Sequence, residues 1–233
     1  MPLPRDIGVV IVAGGRGARV GGEVPKQYRE IGGIPMLLRA IHPFASHPEV
    51  AHVVVVLPPE DVADPPDWLA AIREDGLTVV AGGAERSDSV SAGLEVLIPE
   101  CGSVLVHDAA RPFVDRDTID AVIASVRNGV GAVPAVALGD TLKEAQAGAR
   151  VIARTIPRDR LWRAQTPQGF PRDLLERAHR EGRAAGVHGT DDAALVERLG
   201  VEVRLVPGSE RNIKVTTAED LKLAEALSRS ERT

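Results

Sequence analysis

The chain has 233 residues, 28 basic and 33 acidic side chains, a formal net charge of −5 and only 3% aromatic residues. That balance speaks against a nucleic-acid partner, which needs a basic surface and stacking rings, and no apolar run reaches the ~18 residues of a membrane span. The N-terminus lacks the charged-then-apolar pattern of a signal peptide, so the expected setting is cytoplasmic, with no membrane partner.

The first element is Ile7-Gly8-Val9-Val10-Ile11-Val12, short, β-branched and apolar on both faces, as a central parallel strand requires. It launches a glycine-rich loop, residues 12–26, that carries Arg16, Arg19 and Lys26. Gly14, Gly15 and Gly17 let the backbone approach an anion so that successive N–H groups converge on it, and the cations supply countercharge. Neither a Walker sequence nor a dinucleotide fingerprint fits the spacing. Only four lysines occur in the chain, Lys26, Lys143, Lys214 and Lys222. In so arginine-rich a sequence, a lysine in this loop reads as a placed point charge.

Ile34, Leu37, Leu38 and Ile41 then predict an amphipathic helix started by Pro35 and stopped or bent at His42-Pro43. Strands follow at 53–57, 77–80 and 104–106, with helices at 68–73 and 90–97 between them. The segment Gly82-Gly83-Ala84-Glu85-Arg86-Ser87-Asp88-Ser89 enters a helix, as a nucleotide-contacting loop or as a turn capped by Ser87 or Asp88. His107-Asp108-Ala109-Ala110-Arg111 sets an imidazole, a carboxylate and a guanidinium immediately beyond a buried strand, where open α/β folds bind ligands. The lone His107 reads as a packed, hydrogen-bonded side chain. Cys101 is expected to be a buried or incidental thiol.

A helix over 119–126, capped by Asp115 or Asp117, and a strand over 131–136 continue the alternation. The rhythm breaks at about 138–160, where 141–144 and 151–155 flank the turn-prone Ala147-Gly148-Ala149 and predict a two-stranded arm. An isolated hairpin is marginal in water, so the arm is expected to pack on a second copy and make a homodimer. Arg163 to Phe170 forms a polar cluster containing Thr166. Helices at 171–181 and 193–199, a strand at 203–206, the segment Asn212-Ile213-Lys214-Val215-Thr216 and a helix at 218–227 complete the chain, with Thr190 or Asp191 capping the second of these helices. The fold expected is α/β, a Rossmann-like, mostly parallel twisted sheet flanked by helices, in one domain over 1–233 with the arm as an excursion.

These clusters offer cations for phosphate and no nucleophile beside a base, no G-x-S-x-G elbow and no histidine-rich metal set. Chemistry by positioning and charge stabilisation fits them, as in attack on the α-phosphorus of a nucleoside triphosphate, with Arg19 and Lys26 meeting the growing charge. The motif Ala-Gly-Gly-x-Gly-x-Arg followed by Pro-Lys resembles the signature loop of nucleotidyltransferases that activate sugar phosphates. The ordered strings Pro-Lys-Gln-Tyr, Gly-Gly-x-Glu-Arg-x-Asp-Ser-Val, Val-His-Asp-Ala-Ala-Arg-Pro-Phe, Asp-Thr-Leu-Lys, Leu-Trp-x-Ala-Gln-Thr-Pro-Gln-x-Phe, Thr-Asp-Asp and Asn-Ile-Lys-Val-Thr are similar to those of the 2-C-methyl-D-erythritol 4-phosphate cytidylyltransferase family. One departure is Val12-Ala13-Gly14-Gly15 where that family usually has Pro-Ala-Ala-Gly.

The resemblance implies transfer of CMP from CTP to the polyol phosphate with release of pyrophosphate, and Mg²⁺ on the CTP phosphates with no direct side-chain ligand. It implies that Ala13, Gly14, Gly15, Gly17, Arg19 and Lys26 hold the triphosphate and that Gly82, Gly83, Arg86 and Ser89 surround cytidine. Asp108, Arg111, Thr166 and Lys214 would hold the acceptor phosphate or assist at the reacting centre, with Arg19, Lys26 and Lys214 as the catalytic charges. Thr141 and Arg158, on or beside the arm, would reach into the partner's site. Ribitol 5-phosphate cytidylyltransferases share much of this pattern, although Leu161-Trp162 leans toward methylerythritol phosphate. A non-catalytic nucleotide-binding module is the alternative of a different class.

Overall fold

The structure is a computed structural model that describes residues 4–14, 24–72 and 77–231. In chain order the elements are β1 (Ile7–Val12), a 3-10 turn at Lys26–Tyr28, β2 (Glu30–Ile31), β3 (Ile34–Pro35), α1 (Met36–Ala45), β4 (Val50–Leu57), α2 (Pro59–Ala63), α3 (Asp67–Ile72), β5 (Leu77–Ala81), α4 (Arg86–Glu95), β6 (Ser103–Asp108), α5 (Arg116–Arg127) and β7 (Gly131–Ala137). They continue as β8 (Leu142–Ala145), β9 (Ile152–Ile156), β10 (Trp162–Ala164), β11 (Gln168–Pro171), α6 (Arg172–Ala184), α7 (Asp192–Glu197), β12 (Val203–Pro207) and α8 (Ala218–Ser230).

The neighbours β5, β4, β1 and β6 pair in parallel, with Val12 of β1 opposite both Val56 and Asp108. Next to β6 the pattern reverses: β11 is antiparallel to it and touches β7 through Gly169 opposite Ala132. β7 pairs antiparallel with β10 and parallel with β12. The sheet is thus α/β and mostly parallel, with an antiparallel insertion inside it. Successive side chains of β1 and β4 feed opposite faces. Val9, Ile11, Val53 and Val55 pack with Leu37, Phe44, Ile119 and Val122 from α1 and α5. Val10, Val54 and Val56 pack with Val90, Leu94, Leu175 and Val196 from α4, α6 and α7. A third, smaller cluster joins Ile31, Met36, Phe113, Val215 and Ala224, and seats α8 on the segment that carries Lys214.

Several boundaries differ from the sequence reading. α1 runs through Pro43 to Ala45, because Ile41 and Phe44 are buried on either side of the proline and hold the last turn to the core. α4 is capped by Glu85 rather than Ser87 or Asp88; Asp88 lies three residues on, where its carboxylate accepts from the Glu85 N–H at 3.1 Å. His107 and Asp108 are the last two residues of β6, inside the strand and not beyond it. Cys101 is buried, and the caps of α5 and α7 are Asp115 and Asp191.

The arm is present as an antiparallel hairpin, β8 with β9, that forms its own two-stranded sheet. Gly148, at φ 74°, supplies the left-handed residue of its turn. Leu142, Val151 and Ile152 of the hairpin and the neighbouring Trp162 are exposed apolar side chains.

Candidate active site

The carboxyl ends of β1 and β6 and the loop after β5 enclose a cleft of about 250 Å³. Among its lining residues are Ala13, Gly14, Lys26, Gly83, Arg86, Ser89, Asp108 and Lys214. These eight residues come from five separate segments of the chain, and the strand ends bring them together as the parallel topology requires. Gly82, Arg111 and Thr166 are not lining residues. Gly15, Gly17 and Arg19 lie outside the described residues. Thr141 and Arg158 are exposed, on and beside the arm.

Asp108 is the centre of the charge arrangement. Its Oδ2 meets Lys214 Nζ at 2.6 Å, and its Oδ1 accepts from Arg86 Nε at 3.3 Å. Burial alone would raise the carboxyl pKa, but the charges of Arg86 and then Lys214 outweigh it and hold Asp108 well below the usual carboxylate range. For Arg86, desolvation is outweighed by Asp192 and Asp108, and its pKa is raised; the guanidinium stays charged. Lys26 lies close by, with Nζ donating to the Val215 carbonyl at 3.0 Å.

His107 is fully buried and works below the floor. Its Nε2 faces the Arg111 carbonyl at 3.0 Å, an acceptor only, so this nitrogen carries the proton. Desolvation, the largest influence, lowers its pKa to about 4, which leaves Nδ1 bare to accept from the Thr166 hydroxyl at 3.0 Å. Thr166 Oγ1 in turn accepts from the Asp108 N–H at 3.1 Å. The single hydroxyl proton of Thr166 is therefore committed to His107, and Thr166 fixes the backbone of the central carboxylate. Arg111 ties two strands of chain together, donating to the carbonyls of Asn212 at 2.7 Å and Ala164 at 3.2 Å. Burial lowers its pKa. Asn212 Nδ2 donates to the Thr166 carbonyl at 2.9 Å and the Val215 N–H to the Ala110 carbonyl at 2.8 Å, which locks the Lys214 segment onto the end of β6.

Two residues that the sequence left without a role also reach this network. Asp192 Oδ2 accepts from Arg86 Nη1 at 2.8 Å, and Asp192 Oδ1 from His179 Nε2 at 2.9 Å. The Thr-Asp-Asp string pointed to the region, but nothing in it distinguishes the capping Asp191 from the Asp192 that faces Arg86.

The carboxylates lining the cleft are Glu85 and Asp108. One or two carboxylates beside a phosphate site suit Mg²⁺, which keeps several waters and rides on substrate phosphates. Among the described residues, the one group of three close enough to hold an ion is His47, Glu49 and Asp120. It lies at the opposite, amino-terminal edge of the sheet, and its members are already engaged: His47 Nδ1 accepts from the Glu49 N–H and Glu49 pairs with Arg127.

Comparison with known proteins agrees with this architecture. The family model described as IspD, 2-C-methyl-D-erythritol 4-phosphate cytidylyltransferase, matches residues 7–230. A relative from Salinibacter ruber named 2-C-methyl-D-erythritol 4-phosphate cytidylyltransferase is 46% identical over 220 residues, covering 94% of this chain and 91% of its own. The bifunctional enzyme IspD/IspF of Rhodospirillum rubrum is 48% identical over 229 residues, and the match spans 97% of this chain but 58% of that longer protein. The crystal structure of the cytidylyltransferase from Thermus thermophilus superimposes with a TM-score of 0.80 at 36% identity, covering 94% of this chain and 98% of the other. With the cleft at the strand ends and a match over nearly its whole length, the chain belongs to the 2-C-methyl-D-erythritol 4-phosphate cytidylyltransferase family.

Proposed function

We propose that the chain transfers CMP from CTP to 2-C-methyl-D-erythritol 4-phosphate, as one catalytic domain in the cytoplasm. The observation that carries this reading is the Arg86–Asp108–Lys214 array at the end of β6, beside Gly14 and Lys26, in a chain matched to the family over residues 7–230. The acceptor is already an anionic phosphate near neutral pH, so no general base is needed. One of its oxygens bonds to the α-phosphorus while the bond from that phosphorus to the bridging oxygen of the β-phosphate breaks, and pyrophosphate leaves with that electron pair.

The work left to the protein is alignment and charge stabilisation. Ala13, Gly14, Gly15 and Gly17 offer backbone to the triphosphate, and Arg19 and Lys26 meet the charge on the transferred and leaving groups. Gly82, Gly83, Arg86 and Ser89 surround cytidine. Lys214 binds the acceptor phosphate, steered by Asp108, whereas Thr166 and Arg111 serve by fixing Asp108 and the Lys214 segment. Asp108 and Glu85 are the carboxylates that would hold Mg²⁺ brought in on the CTP phosphates, and the ion would neutralise further phosphate charge. Thr141 and Arg158 complete the acceptor site of a second copy across the arm.

Incubation with CTP, Mg²⁺ and methylerythritol phosphate, in parallel with ribitol 5-phosphate and sugar 1-phosphates, is expected to release pyrophosphate fastest with methylerythritol phosphate. Release with none of the acceptors would overturn the reading.

A further inference from the structure

Behind the cleft, five side chains form an unbroken alternation of donor and acceptor. It runs from His179 on α6 through Asp192 on α7, Arg86 on α4 and Asp108 at the end of β6 to Lys214, with contacts of 2.9, 2.8, 3.3 and 2.6 Å in that order. Asp192 is 0% exposed and His179 4%, and neither lines the cleft. A buried carboxylate is costly unless donors satisfy it, and here each oxygen has one: His179 on Oδ1, Arg86 on Oδ2. His179 Nε2 must be the protonated nitrogen, because an ionised carboxylate only accepts. The shorter of the two Arg86 contacts is the one to Asp192.

We propose that Asp192, oriented by His179, is a positioning residue for the nucleotidyl-transfer site. It anchors Arg86 from behind, so that the guanidinium shares Asp108 with Lys214 instead of capturing it. Without the anchor, Arg86 is free to take both oxygens of Asp108 in the bidentate geometry that arginine favours. Lys214 would then lose the carboxylate that steers its ammonium group. The proposal rests on the cytidylyl-transfer reading given above.

The test compares full-length Asp192→Asn, His179→Leu and His179→Gln chains; the glutamine amide offers an N–H where Nε2 donates. Two quantities are read: kcat and KM for CTP and methylerythritol phosphate, and hydrogen exchange of the Arg86 Nη1–H, the group that donates to Asp192, by nitrogen-15 NMR, assigned with an Arg86→Lys chain. Asp192→Asn and His179→Leu are expected to lower kcat/KM roughly 10- to 100-fold, the scale of a lost charge-assisted hydrogen bond, and to speed Arg86 exchange. His179→Gln is expected to stay near wild type on both. Folded Asp192→Asn with unchanged kinetics and exchange would overturn the proposal. So would equal losses in His179→Leu and His179→Gln with Arg86 exchange unmoved, the signature of general destabilisation. Should Asp192→Asn not fold, the two His179 chains decide alone. Wild-type protein that releases no pyrophosphate would sink the functional reading instead, while Arg86 exchange still tests the anchor.

Discussion

One added methyl group has opposite consequences at Gly14, which lines the cleft, and at Gly82, which directly follows β5 and does not. A Cβ at Gly14, where the family usually carries alanine, would lie 3.6 Å from Ser89 Oγ, an ordinary contact. A Cβ at Gly82 would meet Ser89 Oγ at 2.6 Å and Val56 Cγ1 at 3.1 Å, against a buried serine and a core valine. Gly14→Ala is therefore expected to leave stability within about 0.5 kcal/mol and kcat/KM near wild type. Gly82→Ala should cost about 1–3 kcal/mol from overpacking; urea unfolding and steady-state kinetics of the two chains check both. The buried imidazole of His107 makes a separate expectation about pH. Its pKa falls from 6.5 to about 4 in the folded chain, so between those values the unfolded state holds more protons. Acidification through that window therefore favours unfolding, and the His107 contribution is fully present only above about 6.5. Urea midpoints measured from pH 7 to pH 4.5 should fall more steeply for wild type than for His107→Gln. Parallel curves would remove His107 as the source.

At the scale of elements, the site depends on how α8 is started. Asp220 Oδ2 accepts from the Thr216 N–H, the Thr216 hydroxyl and the Thr217 N–H, each at 2.8 Å, directly after Lys214 and Val215. Asp220→Ala should cost about 1–2 kcal/mol as a lost cap and also raise KM, because the Lys214 segment loosens. Asp115→Ala removes the N-cap of α5, a residue that does not line the cleft, so it should cost about 1 kcal/mol with kinetics unchanged. Equal kinetics for both chains would separate α8 from the site. The same contrast explains what the sequence shows and hides. Strands β1, β4, β6 and β7 were legible because parallel strands buried on both faces are apolar throughout. β10 and β11 were not, since Trp162 to Phe170 has no period of two. β11 becomes a strand by lying between β6 and β7, and Gly169 fits there because a Cβ would strike Val122 Cγ1 at 2.4 Å and Val126 Cγ2 at 2.8 Å from α5. The cleft residues were legible as clusters of placed charges after strands. The anchor at Asp192 and His179 was not, because a carboxylate behind an arginine has no local pattern and becomes evident only when α6, α7 and α4 meet.

For the whole molecule, the arm is the part that this chain alone does not explain. Its strands form a separate sheet, Leu142, Val151 and Ile152 are exposed, and two-stranded hairpins are marginal by themselves in water. A two-fold dimer would cover these side chains and, on the proposed assignment, carry Arg158 of one copy to the acceptor site of the other. An Arg158→Ala chain would then spoil its partner's site, whereas a Lys214→Ala chain spoils its own. In a heterodimer of the two, one site combines the intact Lys214 of the first chain with the intact Arg158 of the second, and the remaining site carries both defects. Equal mixing with full exchange makes half of the dimers mixed, each with one competent site, so roughly a quarter of wild-type activity should return. If each site were built within one chain, no combination would hold both residues and activity would stay at the mean of the two inactive parents. Light scattering should report a dimer for every chain used. A monomer that retains wild-type turnover would refute the shared site directly, since Arg158 of a second copy could not then be part of it.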